Sequence, residues 1–224
     1  MHIPDGFINM PTSIIMYAIS ISILIWSWKK AKATYSKSLA PLLAISSAFV
    51  FAAQMINFPI TYGTSGHLVG GTFLSVLLGP YAAVMGMTIV LLMQALFFAD
   101  GGILAFGANV FNMAIIGGLS FFIVKMLGGK AEKSSRFYAS IFCASWLSVV
   151  LGALACGLQI GVSPAFSEAG GTSITVPAML SWHVPIGLAE AVITATLITS
   201  LHRVSPTVLN GLELLRRKNH ERIP

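Results

Sequence analysis

Long apolar blocks separated by short polar breaks run through this chain, and their lengths predict about seven membrane-spanning helices. The first is expected over residues 11–28, stopping at Lys29, Lys30 and Lys32. A second covers residues 39–58, with Pro59 and Tyr62-Gly63-Thr64-Ser65-Gly66 as its breaker. The apolar block over residues 68–99 is too long for one crossing. Gly79-Pro80 divides it into a short third helix and a fuller fourth, which ends at Asp100-Gly101-Gly102. The fifth is expected over residues 109–127, the sixth over 137–160 and the seventh over 178–201, with a Gly-, Pro- and Ser-rich loop at 161–177. A re-entrant third helix would invert the later topology. No internal repeat accompanies these blocks.

Composition and charge placement sharpen this into a topology. The chain is 56% hydrophobic and 9% charged, against roughly 25% charged in a soluble domain. Its net charge of +6 does not indicate nucleic acid, because all 13 Lys and Arg fall in three clusters, at 29–37, 125–136 and 203–222. Asp5, Asp100 and Glu168 lie in the intervening segments, which carry no Lys or Arg. That alternation obeys the positive-inside rule, with the N-terminus outside and the C-terminus cytoplasmic. The first span lacks the basic leader of a secretory signal and is followed by basic residues instead. The expectation is an all-α membrane bundle of one domain: an outer N-terminal segment at 1–10, helices at 11–201 and a cytoplasmic tail at 202–224. Cys143 and Cys156, about 20 Å apart on one helix, are too distant for a disulfide and read as apolar fillers.

Chemistry enters at the first six residues, Met1-His2-Ile3-Pro4-Asp5-Gly6. A histidine in second position offers three nitrogens in one plane: the Met1 α-amine, the ionised His2 amide and the His2 imidazole Nδ1. They close a five- and a six-membered ring around a metal. A planar nitrogen set suits Ni(II) or Cu(II) and not Zn(II), Mg(II) or Ca(II). Pro4 has a fixed φ and restricts the arm. His67 is the natural fourth nitrogen, since Gly63, Gly66, Gly70 and Gly71 around it permit close backbone approach on the same outer side. Asp5, Asn57, Ser65 and Asn109 are candidates to orient the two imidazoles, and equally are ordinary turn and cap residues. His183, near the outer end of the seventh helix, reads as a capping or interfacial residue rather than a ligand. His202 and His220 read as a helix end and a solvated tail. Glu190, in mid-helix, is expected to be paired or to face a cavity, and reads as a structural ion pair or hydrogen bond rather than a proton relay. Ala40, Ala44, Ala48 and Ala52 form a small-residue ridge that suits either docking of another helix or packing within the bundle.

Three stretches together resemble the NikM/CbiM family, the substrate-capture components of energy-coupling factor nickel and cobalt transporters. They are Met1 to Gly6, the run from Asn57-Phe58-Pro59 through Gly63-Thr64-Ser65-Gly66-His67-Leu68 to Gly70-Gly71, and Asp100-Gly101-Gly102 with Gly107-Ala108-Asn109-Val110-Phe111-Asn112-Met113. The resemblance spans essentially the whole chain. It implies Ni(II) or Co(II) as cargo rather than cofactor, held by Met1, His2 and His67. It also implies a stand-alone component in a prokaryotic cell membrane. The partners it implies are a transmembrane coupling subunit, two ATP-binding subunits and a small accessory membrane subunit. The chain itself has no G-x-x-x-x-G-K-[ST] phosphate loop, so ATP hydrolysis is expected in a partner. Nickel is favoured over cobalt by the planar, amide-containing nitrogen set. An intramembrane metal-dependent enzyme is a weaker alternative, because there is no H-E-x-x-H and no pair of intramembrane carboxylates. A purely structural membrane protein would leave the chelating terminus unexplained.

Overall fold

Helices account for nearly every element, and their lengths are unequal. The computed structural model describes residues 1–36, 38–60, 64–128 and 135–205. Lys37, residues 61–63, Lys130 and Lys133 of the second basic cluster, and the tail beyond 205 with His220 lie outside the described residues. In chain order the elements are α1 (Met10–Thr34), α2 (Leu39–Gln54), β1 (Phe58–Ile60), β2 (Thr64–Gly66), α3 (Gly71–Leu78) and α4 (Pro80–Phe97). They continue with α5 (Phe106–Asn109), a π-wound turn (Val110–Ile115), α6 (Ile116–Gly128), α7 (Ser135–Gly161), α8 (Pro164–Ser167) and α9 (Thr172–Val204). Five helices are long and apolar enough to cross a membrane: α1, α4, the continuous Phe106–Gly128, α7 and α9. At 16 residues α2 is shorter, and α3 has eight, all buried.

Local chemistry explains the boundaries. The Asn9 side chain accepts from the Thr12 N–H at 2.9 Å, and Pro11 sits in the first turn, so α1 starts where its apolar block starts. Gly79, at φ +88, separates α3 from α4, which opens on Pro80. The second helix ends at Gln54, short of residue 58, because Pro59 disfavours helical geometry at Phe58. The chain then forms an antiparallel hairpin, with Phe58 opposite Gly66, Pro59 opposite Ser65 and Ile60 opposite Thr64. The seventh expected helix, α9, starts at Thr172, earlier than its apolar block suggested, and runs through Pro177 and Pro185. Prolines are tolerated in spanning helices because neighbouring groups satisfy the freed carbonyls.

The non-helical stretch from β2 to Gly70 lies along α9. Thr64 Oγ1 reaches Met179 Sδ at 3.1 Å, and the Val69 and Gly70 N–H groups reach Glu190. This segment leads into the eight-residue α3, so the third crossing expected as helix is not found as a single spanning helix among the described residues. The segment's inner end is held by contact without side chains: a Cβ on Gly71 would stand 2.7 Å from the Gly117 Cα. Between the π-wound turn and α7, Asn112 and Gln159 exchange hydrogen bonds of 2.7 and 2.9 Å. Cys143 is exposed and Cys156 buried, and neither is in a disulfide.

Candidate metal centre

The first three residues turn inward and are almost wholly enclosed, at 0%, 3% and 0% exposure for Met1, His2 and Ile3. Ile3 is clamped on both sides of its backbone. Its N–H donates to Asn109 Oδ1 at 2.8 Å, and its carbonyl accepts from Asn109 Nδ2 at 3.1 Å and from the Gly102 N–H at 2.8 Å. Asn109 immediately precedes the π-wound turn, a distortion often found at functional sites. Two residues on, the Asp5 carboxylate accepts from the Ile103 and Leu104 N–H groups at 3.1 and 2.7 Å. Asp5 fills the space a side chain on Gly102 would need.

This clamp delivers the terminus to the β-hairpin. The Met1 amine donates to the Ser65 carbonyl oxygen and stands 2.9 Å from His67 Nε2. His67 Nδ1 donates to the Leu68 carbonyl at 2.8 Å, so its Nε2 keeps a lone pair. His2 Nε2 faces Gln94 Oε1 at 3.0 Å, and donation there leaves His2 Nδ1 bare. That Nδ1 lies 3.2 Å from Asp100 Oδ1 and 3.4 Å from Ser65 Oγ. The two imidazoles stack with centroids 4.5 Å apart at 24°. A square plane with metal–nitrogen bonds of about 2.0 Å puts adjacent nitrogens ~2.8 Å apart. The Met1–His67 separation of 2.9 Å matches one edge of such a square.

Burial also keeps these nitrogens neutral. It pushes the Met1 amine down to about 5, against opposing pulls from Cys156 and Asp100. Burial and the neighbouring terminal charge bring His2 to about 3 and hold His67 well below its usual range. The Asp100 carboxyl is raised by burial, with the terminal amine and a hydrogen bond from Asn57 opposing. Among the described residues no group of three or more His, Cys, Asp or Glu side chains could hold a metal. The candidate donors here include two main-chain nitrogens.

All four residues considered as orienting groups converge on the arm or its partners. Asp5 and Asn109 hold the arm, Ser65 meets Met1 and His2, and Asn57 Nδ2 donates to Asp100 Oδ2 at 3.0 Å. His183 differs from its expected capping or interfacial position. Because α9 begins at Thr172, it lies several turns in and is fully buried, with Nδ1 bonded to the Met179 carbonyl at 2.8 Å. Glu190 is hydrogen-bonded, as expected. Ala40, Ala44, Ala48 and Ala52 are all exposed on α2, so the ridge does not pack inside this bundle. Sequence reasoning missed Gln94 and gave Asp100 no role at the site. An amide buried in an apolar helix was the available signal for Gln94.

Residues 2–208 match a family described as "Cobalt uptake substrate-specific transmembrane region". The chain belongs to the CbiM family. It is 38% identical over 221 residues to the fused nickel transport protein NikMN of Rhodobacter capsulatus, covering 93% of this chain and 64% of that one. This CbiM-family chain thus spans just under two thirds of that fused relative. Two crystal structures share its fold: a transition metal transporter (33% identity, TM-score 0.84, 97% of this chain and 100% of that one) and a truncated one (34%, 0.83, 91% and 99%). The chain is therefore a multi-pass membrane protein and a substrate-specific component of nickel or cobalt uptake.

Proposed function

We propose that this chain captures Ni(II) at the outer face of a prokaryotic cell membrane, using the Met1 amine, the His2 amide, His2 Nδ1 and His67 Nε2. The observation that carries this reading is the 2.9 Å approach of the Met1 amine to His67 Nε2. The hydrogen bond made by each imidazole's other nitrogen supports it, because each leaves a lone pair on the donor atom. An ionised amide leaves a divalent complex with one net positive charge, and the Asp100 carboxylate beside His2 Nδ1 balances it. Low-spin Ni(II) prefers four nitrogens in a plane. Co(II) is the second reading, favoured by the family description.

The chain carries no phosphate-binding loop, so energy for transport comes from partners. We assign it as the substrate-specific subunit of an energy-coupling factor importer, working with a transmembrane coupling subunit, ATP-binding subunits and a small accessory membrane subunit. The exposed Ala40–Ala44–Ala48–Ala52 ridge suits close approach of a helix from the coupling subunit.

The test uses the position of the terminal amine. A chain starting at Met1 and one extended by a single residue are compared by calorimetric Ni(II) titration, with the visible absorption of square-planar nickel read in parallel. The extension turns the amine into an amide and should cost most of the affinity. Equal affinities and identical spectra would remove the amine from the ligand set. Metal analysis of the purified native-terminus protein decides between nickel and cobalt.

A further inference from the structure

Glu190 lies in the middle of α9, 2% exposed, where a carboxylate is costly. Among the described residues no cationic side chain pairs with it. Its two oxygens go instead to consecutive backbone amides: Oε2 accepts from the Val69 N–H at 2.5 Å and Oε1 from the Gly70 N–H at 2.9 Å. The Val69 N–H belongs to the same peptide unit as the Leu68 carbonyl. That carbonyl accepts the His67 Nδ1 proton at 2.8 Å. A peptide unit is planar and trans, so fixing its N–H fixes the opposite direction of its C=O.

We propose that Glu190 is the positioning residue for His67, acting through the Leu68–Val69 peptide. The chain of contacts runs from the carboxylate to the Val69 N–H, from the Leu68 carbonyl to His67 Nδ1, and from His67 Nε2 to the Met1 amine. It resembles the carboxylate–histidine support of many metal sites, with one peptide inserted. The second bond, to Gly70, stops the plane from rotating about its own axis. Gly70 sits at φ +77, with Val50 of α2 in the space a side chain would need. The inference rests on His67 being a metal ligand.

The test compares the native-terminus protein with Glu190→Gln, His67→Ala and the double variant. A glutamine offers one acceptor oxygen, and its NH2 must face one of the two N–H groups. Glu190→Gln should keep its thermal midpoint, lose about 10- to 100-fold in Ni(II) affinity through faster dissociation into chelator, and shift the nickel absorption band. His67→Ala retains three terminal nitrogens and binds at higher nickel. In that background Glu190→Gln should cost nothing further. An unchanged dissociation rate and spectrum in Glu190→Gln, or an equal loss in both backgrounds, overturns the proposal. If Glu190→Gln does not fold, Glu190→Asp, which keeps the charge but falls a methylene short, must dissociate faster, and a parent-like rate overturns it. Parent-like affinity in His67→Ala instead removes the underlying ligand assignment.

Discussion

His67 is held from both ends, by the Leu68 carbonyl at Nδ1 and the Met1 amine at Nε2, so its loss should act on the metal more than on the fold. His67→Ala should bind Ni(II) at least about 100-fold more weakly, as expected when one of four donors is lost, while unfolding within a few degrees of the parent. Titration and thermal unfolding of the same preparation check both halves, and near-parent affinity sinks the four-nitrogen site. At this scale the sequence was informative where chemistry is local. Met1 and His2 are neighbours, and their order alone offers the proposed chelate. His67, which stands against the Met1 amine, was singled out by its glycines. Gln94 and Asp100 were not, because they reach His2 only through the path of α4. Nothing in an isolated apolar helix says which way its one amide points.

On α2 the four alanines occupy the outer face while Ser46, Ser47 and Val50 are buried. Replacing Ala44 and Ala48 with leucine should therefore leave the bundle and its nickel affinity intact, and should abolish co-purification with a coupling subunit. A full complex with normal uptake would make this face lipid-exposed only. Most helices were legible from apolar block length, and Gly79-Pro80 divided α3 from α4 as expected. The non-helical run to Gly70 was not. Leu68, Val69 and the residues of α3 form one apolar stretch, and a short apolar stretch does not distinguish buried strand from buried helix. What decides is Glu190, more than a hundred positions away, which takes up two backbone donors that a helix would have used.

Across the whole molecule, acid should loosen the seated N-terminal arm. Seated, the Met1 amine protonates only near 5 and His2 near 3; withdrawn, they regain ordinary values of 8.0 and 6.5. Between pH 8 and 5 the withdrawn arm binds a proton that the seated arm lacks. Stability is thus complete above 8.0 and falls as pH falls toward 5, by about 1.4 kcal/mol per unit at the amine, with His2 adding below 6.5. Thermal unfolding of metal-free protein at pH 8, 6.5 and 5 should show a descending midpoint, and a flat profile contradicts the buried neutral amine. The arm's contacts also constrain biogenesis. Its first three residues meet groups 64, 66, 106 and 155 positions downstream, the last on Cys156 of α7. Residues 1–3 therefore reach their full set of contacts only once α7 is in place. A partly inserted polypeptide would offer the terminal nitrogens of the proposed chelate without the enclosing pocket, and only one whose later helices have found their places would hold the ion tightly.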